Sequence, residues 1–233
     1  MAEMALGYGS EYQLLRFLGH HRGELNSLIM KELNVNTTPE WLDYPYEEDR
    51  LSGDGELKGI ECFENLDTYA SIKEKWESFW PTSGNAMNWD GIFILDGVWY
   101  FVEAKANEME AYQKCSATSE KSIEMIDRAF SNTKEWIGVK NDIDWTKTNC
   151  YQLANRLAFI YFCNQICAIP ARLLYIGFIY GYRHPRKDIR SAGEWEQIWE
   201  NEYQTLGVTE ENLSGYLYQI YPNCLPKVGD NRK

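Results

Sequence analysis

Residues 88–107, Asn-Trp-Asp-Gly-Ile-Phe-Ile-Leu-Asp-Gly-Val-Trp-Tyr-Phe-Val-Glu-Ala-Lys-Ala-Asn, constrain the fold more than any other part of this sequence. Two apolar runs, 92–95 and 98–102, are joined by Asp96-Gly97. Both central residues of a tight type I′ turn need φ > 0, which Asp-Gly tolerates, so the spacing predicts an antiparallel hairpin. An acid, Asp90, stands at its entry and Glu103-Ala104-Lys105 at its exit. Side chains alternate along a strand, so Glu103 and Lys105 point to one face and Ala104 to the other. Burying either charge alone would cost roughly several kcal/mol, so pairing or a bound metal is expected.

Asp90, a hairpin, then Glu103-x-Lys105 resembles the active-site signature of the PD-(D/E)XK nuclease superfamily. The proline that names the motif is absent, and Trp89 stands in its place. The resemblance implies an α/β protein of the restriction-endonuclease-like, three-layer fold, a central mixed sheet flanked by helices. It implies metal-dependent hydrolysis of nucleic-acid phosphodiester bonds, with Asp90 and Glu103 holding one or two Mg²⁺ ions and Mn²⁺ as a substitute. Lys105 would orient or activate water and stabilise charge on the phosphate. Mg²⁺ takes hard carboxylate oxygens and keeps several waters, which suits these residue types. The resemblance further implies an acid from the first helix, Glu11 by preference and Glu24 as second choice, and a polar residue from a later helix, Gln152. It covers a common core of about residues 11–180 in a single domain spanning 1–233, with 181–233 as a C-terminal elaboration.

Spacing alone does not single out this triplet. Glu56-Leu57-Lys58 has Asp43 at the same upstream separation that Asp90 has from Glu103. Context separates the two. Ser52-Gly53-Asp54-Gly55 runs directly into Glu56 and marks a turn, whereas Glu103 follows Val98-Trp99-Tyr100-Phe101-Val102.

At 233 residues, with 44% hydrophobic and 25% charged residues, the chain fits one ordinary globular domain. A formal net charge of −12 argues against a sequence-independent DNA coater, while metal ions and a local basic patch can offset it at a nuclease site. Cysteines 62, 115, 150, 163, 167 and 224 form no C-x-x-C pair, and no signal segment opens the sequence, so reduced thiols in a cytoplasmic protein are expected. Cys163 and Cys167 lack a second pair for zinc and read as small buried hydrophobes. Asn164, Gln165, Pro170 and Arg172 break the longest apolar run, which reads as helix, turn and strand rather than a membrane span.

Periodicity predicts helices over 11–33, 67–80, 119–139, 149–165 and 193–206, and strands near 57–63, over 171–180 and at an edge over 216–221. Glu47-Glu48-Asp49 reads as a solvated loop and 227–233 as a frayed tail. On the 149–165 helix, Gln152, Asn155, Arg156 and Phe159 share a face. Asn155 and Arg156 are candidates to contact a phosphate or anchor loops; the alternative is a polar stripe facing water. Arg183, Arg186 and Lys187, with Arg190, form the dense basic cluster of an acidic chain and are candidate nucleic-acid contacts, or else a solubilising loop. The expected partner is nucleic acid, DNA first, with no membrane; oligomeric state is open, a homodimer included. A binding module that keeps the fold without turnover is the alternative function. Paired carboxylates acting on a sugar fit poorly, because Lys105 would depress the pKa of an acid that needs it raised.

Overall fold

The computed structural model describes residues 8–42, 57–82, 87–182 and 188–225. In chain order the elements are α1 (Ser10–His20), α2 (Arg22–Glu32), β1 (Glu40–Trp41), β2 (Leu57–Lys58), α3 (Tyr69–Phe79), β3 (Asn88–Trp89), β4 (Gly91–Leu95) and β5 (Val98–Lys105). They continue with α4 (Glu120–Trp136), α5 (Tyr151–Tyr161), β6 (Ala171–Gly177), α6 (Ala192–Leu206), α7 (Glu210–Leu213) and β7 (Leu217–Ile220). Five strands form one mixed sheet in the order β1-β4-β5-β6-β7, and β2 pairs with β3 beside it.

The expected hairpin is present. Asp96 and Gly97 have φ of 50° and 78°, and β4 pairs antiparallel with β5 from Gly91↔Val102 to Leu95↔Val98. β5 then runs parallel to β6, and β6 parallel to β7. A parallel pair needs a long crossover, which α4 and α5 supply. β6 is covered on both faces, as its near-continuous apolar sequence requires.

Helices flank both faces of the sheet. On one, Leu14, Phe17, Leu25 and Ile29 of α1 and α2 pack on Phe93, Val102, Ala104 and Ile176. On the other, residues of α3, α4, α5 and α6 pack on Ile92, Phe101, Leu173 and Tyr175. Glu103 and Lys105 share the second face with Phe101, so the strand's alternation aims both at α5.

Three expectations are corrected. The first helix is two, parted at His21 (φ −131°, ψ 25°), between the weak points Gly19 and Gly23. The strand expected near 57–63 stops at Lys58, because Gly59 turns the chain at φ 52° and residues Glu61–Phe63 wind into a 3₁₀ turn. The helix expected to reach residue 165 leaves α geometry after Tyr161 and finishes as a π turn over Phe162–Ile166. Asp43, Glu47, Glu48, Asp49, the 52–55 turn, Glu56 and the 227–233 tail lie outside the described residues. All six cysteines are free, with Cys163 buried and Cys167 partly so.

α6 seats Trp195 directly over Gly177, which pairs with Lys105. A Cβ at 177 would lie 2.7 Å from the Trp195 indole carbons. The Gly177→Ala variant is therefore expected to lose about 1–3 kcal/mol, read as a fall in thermal midpoint of about 3–10 °C. An unchanged midpoint would mean that α6 does not sit so close to the strand.

Candidate active site

β5 delivers Glu103 and Lys105 by its alternation, and the approach to β4 delivers Asp90. After Gly91 the ladder ends: the Asp90 backbone N–H still reaches Val102 O (3.2 Å), and the Asp90 carboxylate accepts from the Ala104 backbone N–H (Oδ2, 2.6 Å). A carboxylate thus takes the place of a ladder carbonyl, and this fixes Asp90 one residue from Glu103. Both acids line one cavity of about 360 Å³ with Lys105, Gln152, Ser10 and Glu110.

Glu103, 2% exposed, is surrounded by donors. Its Oε1 accepts from Lys105 Nζ and from Gln152 Nε2 (2.7 Å), and its Oε2 from Arg156 Nε (2.7 Å). Gln152 Oε1 accepts in turn from Lys105 Nζ (2.9 Å), so one amide holds both charged partners. Arg156 also donates to Asn88 O (2.8 Å) and to Asn155 Oδ1 (3.0 Å), and stacks over Trp89 at 4.7 Å. The i, i+4 spacing of Gln152 and Arg156 puts both on the α5 face toward β5.

The charges stay in place. Burial would push the Glu103 carboxyl up, but Arg156 and Lys105 outweigh it and hold it below the usual range. Burial would likewise lower the Lys105 ammonium, and the carboxylates of Glu103 and Asp90 raise it instead. Arg156 is raised by Glu103 against the same penalty. Two carboxylates therefore meet two cations, and the cluster is close to neutral.

Asp90 and Glu103 present hard carboxylate oxygens at one cavity wall, with Asp90 Oδ2 and both Glu103 oxygens accepting from protein donors. Among the described residues no three His, Cys, Asp or Glu side chains surround a common point. Glu110 lines the cavity, but its oxygens accept from Ala106 N and Asn107 Nδ2, each at 2.7 Å. This set fits an ion that is content with two carboxylates plus water or phosphate, as Mg²⁺ is, and not a closed tetrahedral zinc site.

The structure brings Asp90, Glu103, Lys105 and Gln152 together as expected. Glu11 lies in the first turn of α1 but outside the cavity wall, where its neighbour Ser10 stands; Glu24 sits in α2, also off that wall. Arg156, expected at a phosphate or a loop, is paired with Glu103. Arg183, Arg186 and Lys187 lie outside the described residues.

One group the sequence reading missed is Glu202 of α6. It is 1% exposed, its Oε2 has no hydrogen-bond partner, and burial pushes its carboxyl up to about 8, against a pull from Lys105. Its i+4 spacing from Ile198 on the apolar stripe of α6 was the available signal. No protein-family model matches the chain, and neither a curated protein nor a solved structure matches it.

Proposed function

We propose that this chain is a metal-dependent nuclease of the restriction-endonuclease-like fold, hydrolysing phosphodiester bonds of nucleic acid, DNA first. The observation that carries the reading is the meeting of Asp90, Glu103 and Lys105 at one cavity, on a hairpin whose Ala104 N–H fixes Asp90. Asp90 and Glu103 are the residues that would hold Mg²⁺, which when bound supplies Lewis-acid stabilisation of charge on a phosphate. Lys105, buried and bonded to Glu103 and Gln152, is placed to orient water or to neutralise a phosphoryl oxygen. Gln152 keeps Lys105 and Glu103 in register, and Arg156 balances the second carboxylate.

Calorimetric titration with Mg²⁺ and Mn²⁺, beside cleavage of single-stranded, duplex and supercoiled DNA, tests the proposal. Wild type is expected to bind metal and cut. Asp90→Ala should lose both, whereas Lys105→Ala, checked for folding by circular dichroism, should keep metal binding and lose at least about 100-fold in cleavage. A wild type that neither binds metal nor cuts any form defeats the reading. One observation favours a second reading, a nuclease-fold binding module without turnover: both Glu103 oxygens are already engaged by protein donors. Nucleic-acid binding without metal uptake or cleavage would support that alternative.

A further inference from the structure

A polar groove of about 530 Å³ adjoins the candidate active site and shares Gln113 and Gln152 with it. None of its sixteen lining residues is acidic, although the chain carries 35 Asp and Glu. Four other concavities of comparable size each carry acids, such as Glu74 in one and Asp127, Glu135, Asp142 and Asp144 in another. In a chain of net charge −12, an acid-free wall is where a polyanion meets least repulsion.

The groove also presents donors. A guanidinium has five N–H groups; Arg156 directs three at Glu103, Asn155 and Asn88, and the other two have no partner among the described residues. Asn155, 8% exposed, accepts from Arg156 through Oδ1, and its Nδ2 is uncommitted among the described residues. Two helices begin at this wall: Ser119 caps α4, and Tyr151 and Gln152 form the first turn of α5. The positive dipole ends of these helices add to the pull on an anion. Exposed Lys114 stands on the lining strip whose backbone is tied to α5, with Gln113 N on Asn149 O (2.7 Å) and Tyr151 N on Gln113 O (3.0 Å). The wall is therefore preformed.

We propose that this groove holds an unpaired nucleic-acid strand beside the scissile phosphate, so that the enzyme acts on single strands or frayed ends. The proposal rests on the nuclease reading of the adjoining cavity. A groove of this volume takes a ligand of nucleotide size. Exposed Lys114 meets the phosphate, while Asn155 and the neighbouring amides meet base edges that an unpaired strand exposes and a duplex hides.

The test is fluorescence anisotropy with a labelled oligodeoxynucleotide of about twelve nucleotides, in EDTA so that binding is read without metal or turnover. The single strand is expected to bind at least about tenfold tighter than a blunt hairpin duplex of the same length, and Lys114→Glu and Asn155→Asp should each weaken it about tenfold. Lys73→Glu, the same charge change as Lys114→Glu on the exposed face of α3, should weaken it less than about threefold. Lys114 is exposed, so its variant keeps the test readable if Asn155→Asp fails to fold. Equal affinity for duplex and single strand, or groove variants no weaker than Lys73→Glu, would overturn the assignment. Metal titration and the Asp90→Ala cleavage assay are separate readouts, so the nuclease reading stands or falls apart from this one.

Discussion

Replacing Arg156 by methionine is expected to destabilise the protein by about 3–5 kcal/mol at neutral pH, the usual consequence of stripping one partner from a buried ion pair. The guanidinium faces a carboxylate that is 2% exposed, a backbone carbonyl and the Trp89 ring. Methionine replaces the packing on Trp89 but none of the donors. Lys105 and Gln152 still reach Oε1, while Oε2 is left without its charged partner. The effect depends on pH in a defined direction. Glu103 is depressed in the native state, so in wild type its contribution is present above the unfolded pKa and is lost as pH falls through the folded one. Without Arg156 the strongest pull against burial is gone, so acid protonates Glu103 at a higher pH than in wild type and relieves the variant. Urea unfolding at pH 7 and pH 4 should show the gap between the two proteins narrowing on acidification. Arg156→Met combined with Glu103→Gln should recover much of the loss. A loss below about 1 kcal/mol at pH 7 would show the pair to be screened by water.

Glu202→Gln is expected to stabilise the protein at alkaline pH by roughly 2–4 kcal/mol while changing little at pH 5. The carboxyl is buried with an orphaned oxygen, and its pKa is raised from an ordinary 4.5 to about 8. The folded state thus binds the proton more tightly than the unfolded chain, so this group's effect on stability worsens as pH rises from about 4.5 to about 8 and then levels off. Glutamine keeps the shape and removes the titration. Thermal midpoints measured from pH 5 to pH 9 should fall in wild type and run flatter in the variant, with a separation of about 5–10 °C at pH 9. Parallel profiles would place the acid in contact with water.

The hairpin and the Asp90…Glu103-x-Lys105 geometry were legible because they are local. A period of two, an Asp-Gly turn and three charges within sixteen residues carry them. Gln152 was legible only through the resemblance, since nothing in a helical pattern says which strand its polar face will meet. The partnership of Arg156 with Glu103 spans 53 residues of chain, and periodicity does not report such a distance. Glu202 was hidden for another reason: a carboxyl on an apolar stripe breaks the rule by which the stripe is read. The break at His21 and the turn at Gly59 are backbone decisions, for which Gly19, Gly23 and Gly59 were visible but unspecific signals.

The parallel pairing of β5 with β6 imposes an order on assembly. The β4–β5 hairpin needs only a two-residue turn, so it can close in microseconds and carry Asp90, Glu103 and Lys105 together early. β6 begins 66 residues after the last residue of β5, and that intervening chain must be closed into a loop first. Until then Glu103 is hydrated, Arg156 is distant, and one edge of Trp99-Tyr100-Phe101-Val102 is bare. Newly made chains are therefore most open to self-association through that edge, and refolding yield should fall with protein concentration even where the finished protein stays dispersed.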